Sequence, residues 1–513
     1  SSNTCIIINK SIASLNEGYK LIIRGGINMR KGFFKKMAAV VLAVVTTMTM
    51  FTGCGGAGST SASTKSITIQ GGNTEGDLDP AGVALGMFIQ YSRLCLEPLI
   101  TYDSDGKVSK AMAESYEESS DGLTWTFHLR KDAKWSDGSA VTSADFVNTI
   151  KRSLDGKTSK SIYADMLSPI VGATEAYAGT ASVDNVGVTA PDDYTIEFKL
   201  VKPCSYFLKL IAMQCCYPSK AGIATNENET WYTDPKTNLA NGAFYMTEYV
   251  QGQYYKLKKN PNYYDADKVY LEDITVKFID DATAAVSAYK TNEVDFATNL
   301  PAYVMSEYQG KSDLVLQPNI TTRFILFNVT KAPFNNDKVR RAISMALSRA
   351  EICKTVGDDY EASTQFIAKY MLSNLGTGKK FSDESGEMVT EDIAKAKSLL
   401  AEAGYPNGAG FPTVTYNYPN NEQDKLIAQA IQAQLKSALN INVELNGMES
   451  QVCVSERKSG NFDMTRHNWT ADYDDAMDYL LMWTSTSGLN DAGIKDADYD
   501  KLCDDATAEL DET

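Results

Sequence analysis

An alternation of strand, helix and strand between residues 413 and 445 constrains the fold of this chain more than any other feature of its sequence. Residues 413–418 have a strand pattern, and the apolar residues that follow recur at the spacing of one helix face. The apolar positions of the helix and of the second strand are Leu426, Ala430, Ile431 and Leu435, then Ile441, Val443 and Leu445. A βαβ order predicts two parallel strands joined by a right-handed crossover. It indicates an open α/β sheet, in which ligands bind outside the carboxyl ends of the strands.

Patterns of both kinds recur along the chain, so we predict a mixed α/β fold. Residues 123–130 alternate apolar and polar, which is typical of a half-buried strand, and we expect His128 on the polar face to be solvated or hydrogen-bonded. A helix that begins at Asp337 carries apolar residues on one face, at Val339, Ala342, Ile343, Ala346 and Leu347. A further helix ends at Gly404 and Pro406, and its apolar residues are Ile393, Ala396, Leu400 and Ala403.

Charge and histidine content argue against several classes of function. The 513 residues include 49 Lys and Arg against 65 Asp and Glu, which gives a formal charge of -16 at pH 7. Contact with a nucleic-acid backbone needs clustered basic residues, so we expect no nucleic-acid partner. Two histidines are too few for a three-histidine zinc site, and histidine is the usual general base at neutral pH. We therefore expect no enzyme activity and no cofactor, and we interpret the adjacent acids Asp474 and Asp475 as a solvated loop.

Residues 29–53 have the pattern of a bacterial export signal. Basic residues precede an apolar run over residues 37–51, which is shorter than the roughly 20 residues that a membrane-spanning helix needs. Residues 51–54, Phe-Thr-Gly-Cys, resemble a lipobox, after which Cys54 would become a diacylated N-terminus. Residues 54–65 have the composition of a flexible tether. Alternatively, Cys54 is an ordinary small residue that follows a soluble signal peptide.

The position of this signal predicts both the start and the location of the protein. An export signal acts at the N-terminus, so we expect translation to begin at Met29 and residues 1–28 to be a non-translated extension. We predict a protein that is extracytoplasmic and lipid-anchored to the outer face of the bacterial cell membrane through Cys54.

The cysteines that follow Cys54 have no metal-binding spacing. An odd number cannot pair completely within one chain, and the adjacent Cys215 and Cys216 do not form a C-x-x-C site. We expect buried free thiols and no metal site. These cysteines are Cys95, Cys204, Cys215, Cys216, Cys353, Cys453 and Cys503.

Sequence blocks along the chain resemble the oligopeptide-binding lipoproteins of bacterial ABC importers, the extracellular solute-binding proteins of family 5. The longest block is AESYEESSDGLTWTFHLRKDAKWSDG at residues 113–138. The shorter blocks are TSADF at 142–146, NGAF at 241–244, NPNYY at 260–264, APF at 332–334, VRRAI at 339–343, LLAEAGY at 399–405, ADY at 471–473 and YDKL at 499–502. The resemblance implies a two-lobed, periplasmic-binding-protein-like fold of type II, with an extra domain on the first lobe and the ligand enclosed between the lobes.

The resemblance also implies domain boundaries. Lobe I would comprise residues 66–96, 221–320 and 490–513, the extra domain residues 97–220, and lobe II residues 321–489. In the family the first lobe continues for several dozen residues beyond this point, so we expect its C-terminal part to be truncated in this chain.

Ligand contacts follow from the resemblance residue by residue. In the family the aspartate of a Trp-x-Ala-Asp-Tyr block pairs with the peptide amine, and here that block supplies Asp472 beside Ala471. The alternative is that Asp472 is a helix cap or turn residue. Arg466 matches a family arginine that can meet the carboxylate of short peptides, and its alternative is a salt bridge to Asp472.

Aromatic residues of the cleft can be matched in the same way. Trp469 and Tyr163 match aromatic residues of the family's cleft, although both could be core aromatics instead. Asn299 is a weaker match. The family often has tryptophan after the glutamate that matches Glu449, and here Ser450 stands in that place, so side-chain preference does not transfer.

These observations predict a monomeric receptor that captures oligopeptides and delivers them to the permease subunits of an ABC transporter. Alternatives are a receptor of the same fold for nickel, haem or a sugar, and a sensor of peptide pheromones. Two histidines argue against nickel, and a sugar receptor would lack the amine-binding aspartate at position 472.

Overall fold

Residues of the chain divide between an N-terminal and a C-terminal unit. A computed structural model describes residues 3–8, 65–71, 78–82, 86–102, 108–159, 161, 163–228, 230–298, 300, 304, 307–356, 360–371 and 379–509. The N-terminal unit comprises residues 5–202 and 210–317, and the C-terminal unit comprises residues 1–4, 203–209 and 318–513. The predicted export signal, Cys54 and Asn299 lie outside the described residues. The predicted subdivision into lobe I, extra domain and lobe II stays a prediction.

The strands of the N-terminal unit belong to three sheets. They are β1 (Asn3–Ile8), β2 (Ser66–Gly71), β3 (Ile100–Tyr102), β4 (Val108–Lys110), β5 (Ala113–Glu118), β6 (Thr124–Leu129), β7 (Val188–Asp192), β8 (Thr195–Lys199), β9 (Phe244–Val250), β10 (Tyr254–Lys259), β11 (Asp273–Phe278), β12 (Phe296–Thr298) and β13 (Leu314–Pro318). A seven-stranded sheet has the order β13-β1-β12-β2-β11-β10-β9, a four-stranded sheet has the order β5-β6-β8-β7, and β3 pairs with β4. Strand β1 falls within the predicted non-translated extension, which stays a prediction.

Local sequence explains several elements of this unit. Its helices are α1 (Gly86–Cys95), α2 (Ser143–Leu154), α3 (Ala173–Tyr177) and α5 (Ala282–Lys290), and helix α4 (Phe207–Ile211) has residues 207–209 in the C-terminal unit and residues 210–211 in this one. Helix α2 begins with a capping box in which Asp145 accepts a hydrogen bond from the backbone N–H of Thr142 at 2.9 Å. The same carboxylate accepts the indole N–H of Trp135 at 2.9 Å, so two of the matched sequence blocks meet in one buried contact.

Strand β6 has the half-buried pattern that its sequence predicts. Trp125, Phe127 and Leu129 are buried. His128 faces the opposite side, where its Nε2 lies 3.5 Å from the carboxylate of Glu117. The prediction that His128 is a solvated strand residue is therefore confirmed.

The C-terminal unit is built on one mixed sheet with helices packed against it. Its strands are β14 (Thr321–Phe327), β15 (Val414–Pro419), β16 (Val443–Met448) and β17 (Met464–Thr470), in the order β14-β17-β15-β16. Its helices are α6 (Asp337–Ala346), α7 (Arg349–Val356), α8 (Phe381–Ser385), α9 (Ile393–Glu402), α10 (Glu422–Leu439), α11 (Ser450–Lys458), α12 (Met477–Leu480) and α13 (Ala497–Ala508). The described residues also form short 3-10 turns, at Ala164–Leu167, Val183–Asn185, Gln214–Cys216, Ala266–Lys268, Pro406–Gly408 and Leu481–Trp483.

The βαβ prediction for this sheet is confirmed. Strands β15 and β16 pair in parallel on either side of α10, β15 also pairs in parallel with β17, and β14 is antiparallel to β17. The predicted face of α10 is wrong at its start, because Leu426 is 38% exposed. The buried face is shifted by about one residue, since Ile427, Ile431 and Leu435 recur at intervals of four and point into the core.

In the described part of the chain, the seven cysteines predicted to be free form no disulfide with one another, and all except the half-buried Cys353 are buried. Burial in apolar surroundings makes a thiol less reactive because it disfavours the thiolate, and desolvation raises the pKa of Cys353 and of Cys453. In the described part of the chain, the helices lack the length and apolar character needed to cross a membrane.

We expect alkylating reagent to label Cys353 first in the folded protein and all seven of these cysteines after unfolding. Alkylation before and after unfolding, followed by mass spectrometry of the peptides, measures each site separately. Recovery of these cysteines as disulfide-linked peptides would contradict the prediction.

Candidate functional site

The pairing of β14 with β17 divides the predicted site residues between two faces of the sheet. In this antiparallel register Arg323 lies opposite Asn468, and Ile325 lies opposite Arg466. Side chains alternate along a strand, so these four residues share one face. Trp469 belongs to the other face. Arg466 and Trp469 therefore lie in different environments, although they are only three residues apart on β17.

Arg466 pairs with a buried carboxylate of helix α10. Its Nε donates to Asp424 Oδ1 at 3.2 Å, and its Nη1 donates to Asn468 Oδ1. The alternative prediction of a salt bridge between Arg466 and Asp472 is wrong, because the guanidinium of Arg466 pairs with Asp424 of helix α10. Burial, followed by the neighbouring charge of Arg323, lowers the pKa of Arg466.

The same face forms an open polar pocket of about 240 Å³. Backbone alternation accounts for its composition, since every second residue of two paired strands points into it. The residues that line it are Asn319, Thr321, Arg323, Tyr360, Arg466, Asn468 and Thr470.

Trp469 lies on the opposite face and is anchored by Asp478 at the start of α12. The indole Nε1 donates to Asp478 Oδ2 at 2.6 Å, and the same oxygen accepts the backbone N–H of Asp472 at 3.3 Å. The backbone N–H of Ala471 donates to the carbonyl of Ile320 at 3.0 Å and continues the pairing of β14 with β17. Trp469 is half-buried, Ala471 is buried, and both pack in one cluster of apolar side chains.

Asp472 lies in the bend between β17 and α12. Its carboxylate is half-buried, and burial raises its pKa to about 6. Among the described residues, Lys209 pairs with Asp475, and Arg323 and Arg466 pair with Asp424. Asp472 takes part in no salt bridge with a described residue. The N-cap of α12 is Ala476, so Asp472 is not the N-cap of that helix.

Asp478 is a more deeply buried acid beside Asp472. Burial, and then the charge of Asp472, raises its pKa to about 8. The hydrogen bond from Trp469 opposes this shift without cancelling it. Two acids of one short segment therefore favour the protonated form more than free aspartate does.

The expectation of a solvated loop at Asp474 and Asp475 is wrong for Asp475. This carboxylate is 3% exposed, and Lys209 Nζ lies 3.0 Å from its Oδ2. Lys209 also donates to the carbonyl of Asp474 at 2.6 Å, and Tyr206 stacks on Tyr473 with ring centroids 5.3 Å apart. The segment 203–209 thus holds the bend that carries Asp472.

His467 is neutral and serves the structure of β17. It is buried, and burial followed by the charge of Arg457 lowers its pKa to about 3. Its Nδ1 accepts hydrogen bonds from Arg457 Nη1 at 2.8 Å and from the backbone N–H of Asn468 at 2.9 Å. Among the described residues, no group of three or more His, Cys, Asp or Glu side chains could hold a metal ion.

The other predicted contacts lie elsewhere. Tyr163 is buried in the N-terminal unit, where its backbone N–H donates to Ser161 Oγ at 3.3 Å. This position agrees with the core alternative, and its contact with a ligand stays a prediction. Glu449 caps α11 by accepting the backbone N–H of Gln451 at 2.8 Å, and Ser450 is exposed.

Comparison with known proteins connects this arrangement to binding proteins. The sequence model described as "Bacterial extracellular solute-binding proteins, family 5 Middle" matches residues 107–491. The dipeptide-binding protein DppE of Bacillus subtilis (strain 168) is 30% identical over 420 residues, which cover 81% of this chain and 76% of that protein. The periplasmic oligopeptide-binding protein OppA of Escherichia coli (strain K12) is 30% identical over 453 residues, covering 87% and 82%.

Solved structures agree with the sequence relatives. The structure of Listeria monocytogenes OppA bound to peptide has a TM-score of 0.70 and 25% sequence identity, covering 88% of this chain and 90% of that chain. The predicted α/β fold of the type II periplasmic binding proteins is thereby confirmed.

We expect stability to depend on the proton of Asp478. Its pKa is raised in the folded state, so the folded protein binds this proton more tightly, and the free energy of unfolding should fall as pH rises from about 4 to about 8. The slope is up to about 1.4 kcal/mol per pH unit for one group. Asp478→Asn keeps an acceptor for the indole of Trp469 and should remove this slope.

Urea unfolding of both proteins at pH 5, 7 and 9 checks the expectation. The variant should gain stability relative to the wild type as pH rises. A difference between the two proteins that stays constant with pH would show that Asp478 ionises normally.

Proposed function

Because the chain belongs to the bacterial extracellular solute-binding proteins of family 5, we propose that it captures oligopeptides outside the cytoplasm and delivers them to the permease of an ABC transporter. The relatives compared above are named as dipeptide- or oligopeptide-binding proteins. Their names describe binding rather than catalysis, which supports a receptor that carries out no chemical step. The neutral, structurally engaged His467 is in keeping with that role.

The observation that carries the proposal is the carboxylate of Asp472, which is desolvated and has no salt-bridge partner among the described residues. A carboxylate that has lost water without gaining a cation is costly, and an ammonium group of a ligand would remove that cost. The peptide amine is such a group. Its arrival would favour the charged form of Asp472, whose pKa of about 6 already permits ionisation at neutral pH.

The surroundings of Asp472 suit an amine that enters with an extended backbone. Trp469 is half-buried on β17, the strand that leads to Asp472 and pairs with β14. A receptor that tolerates many sequences binds the termini and backbone of a peptide and holds side chains loosely. We propose that Asp472, Trp469 and Ala471 meet the amino-terminal end, that Arg466 meets an acidic group, and that Tyr163 and Asn299 are further contacts.

Attachment to the membrane is a separate part of the proposal. Residues 29–54 carry the signal and lipobox pattern, and the residues up to 65 would tether the folded body to a diacylated Cys54. The relative from Escherichia coli is named as periplasmic, which supports an extracytoplasmic location. We propose a monomer that acts with permease subunits and not with nucleic acid.

We expect Asp472→Asn to weaken the binding of free-amine peptides by at least about a hundredfold. Loss of one member of a desolvated charge pair costs about 3 to 5 kcal/mol. Isothermal titration with a tripeptide and its N-acetylated form measures the effect. The wild type should prefer the free amine strongly, and the variant should not distinguish the two.

Asp383→Asn is the matched control, since it removes the same charge at an exposed position of the same unit. It should bind like the wild type. If Asp472→Asn kept the full preference for the free amine, Asp472 would not be the amine contact.

We expect the purified protein to carry mixed short peptides from its host. Mass spectrometry of the ligands released by denaturation identifies them directly. Release of one sugar, haem or a nickel chelate would overturn the peptide proposal, and release of one defined peptide would favour a pheromone sensor over a general importer.

A further inference from the structure

One carboxylate oxygen of Asp478 joins the end of β17 to the bend that follows it. Oδ2 accepts the indole N–H of Trp469 at 2.6 Å and the backbone N–H of Asp472 at 3.3 Å. Both donors belong to residues that the proposed function places at the amino-terminal end of the peptide. A single atom of a residue that is only 5% exposed therefore fixes the indole relative to the bend.

Asp478 is itself held in place by the bend. Its backbone N–H donates to the carbonyl of Asp475 at 3.1 Å, and the backbone N–H of Met477 donates to Asp475 Oδ1 at 2.9 Å. The carboxylate of Asp475 is paired in turn with Lys209 at 3.0 Å. The oxygen of Asp478 is therefore presented from a fixed backbone, so the two N–H groups that it binds are fixed as well.

The end of β17 has a second anchor, which separates what Asp478 adds. The hydroxyl of Tyr479 donates to the carbonyl of Ile320 at 2.9 Å and to the carbonyl of Trp469 at 3.1 Å. These bonds hold the backbone where β14 and β17 meet. Among the described residues, the acceptor for the backbone N–H of Asp472 is Asp478. Loss of this acceptor would leave the strand anchored and would release the indole and the bend.

An acid at position 478 is costly, because it is buried without a cation. No described lysine or arginine forms a salt bridge with Asp478, and Lys209 pairs with Asp475 instead. Burial of an ionisable group without a partner is more frequent at functional sites than elsewhere in proteins. The titratable groups that face Asp478 are acids and phenols, namely Asp472, Asp475, Tyr206, Tyr473 and Tyr479.

We propose that Asp478 is a positioning residue of the amine site, whose oxygen holds the indole of Trp469 and the backbone of Asp472 in the arrangement that receives a peptide ammonium group. This inference rests on the proposed function. A binding group that is already in place loses less freedom when the ligand arrives, and affinity increases accordingly. The role requires an acceptor and not a negative charge, since a protonated carboxyl group still accepts hydrogen bonds. Asp478 thus acts through Asp472 and does not contact the ammonium group.

Substitutions at position 478 separate the acceptor from the charge. Asp478→Ala removes the acceptor, and Asp478→Asn keeps an acceptor oxygen without a charge. Asp478→Leu, which also lacks an acceptor but fills the space, makes the same prediction as Asp478→Ala if that variant does not fold. Ile431→Val is the control for a loss of stability, because it lies in the buried face of α10.

The test measures dissociation constants for a tripeptide and its N-acetylated form at pH 6.5, where the peptide amine is protonated. The ratio of the two constants is the preference for a free amine. In Asp478→Ala this preference should fall about tenfold, which corresponds to the loss of one or two hydrogen bonds. Asp478→Asn should retain most of the preference, and Ile431→Val should retain all of it.

An unchanged preference in Asp478→Ala and Asp478→Leu overturns the positioning role. An equal loss in Asp478→Asn also overturns it, because the charge of Asp478 would then act on the ammonium group directly. In both cases the peptide-binding proposal stands. A wild type that binds both peptides equally overturns the amine contact at Asp472 together with this inference, and a wild type that binds neither overturns the proposed function. The thermal midpoint of each variant reports separately on folding.

Discussion

The antiparallel pairing of β14 with β17 is the constraint on which the rest of the candidate site depends. It joins two segments that are far apart in sequence, and its register sets which side chains share a face. Arg323 and Arg466 meet only because this register brings both to one side, within reach of Asp424. The same register sends Trp469 to the other side, where Asp478 anchors it. A shift by one residue would exchange the two environments.

The C-terminal unit accommodates its buried acids in different ways. Asp424 faces two arginines, and Asp475 is paired with Lys209. Asp478 accepts two N–H groups, and burial still favours its protonated form. Asp472 is desolvated without a salt bridge among the described residues. This difference is the reason for proposing Asp472, and not the other acids, as the contact for a cationic group of the ligand.

Sequence patterns predicted the parts of this molecule that local spacing determines. The βαβ order around α10, the half-buried strand β6 and the free thiols all follow from periodicity or from counting. The sequence could not show what depends on residues distant along the chain. Lys209 reaches Asp475 across more than 250 positions, so Asp475 resembled one more acid of a solvated loop. Asp424 was hidden in the same way, because nothing near it in the sequence indicates that it meets two arginines.

The state of Asp478 changes how the charge of the whole chain should be counted. The formal charge of -16 at pH 7 treats every aspartate as ionised. With a pKa of about 8, Asp478 carries its proton at pH 7 in most molecules, so the folded protein is less acidic than its composition implies. Between pH 7 and 9 it acquires a negative charge in a range where ordinary carboxylates have finished titrating. The electrophoretic mobility of the protein between pH 7 and 9 therefore depends on this buried group as well as on the charges of the protein surface.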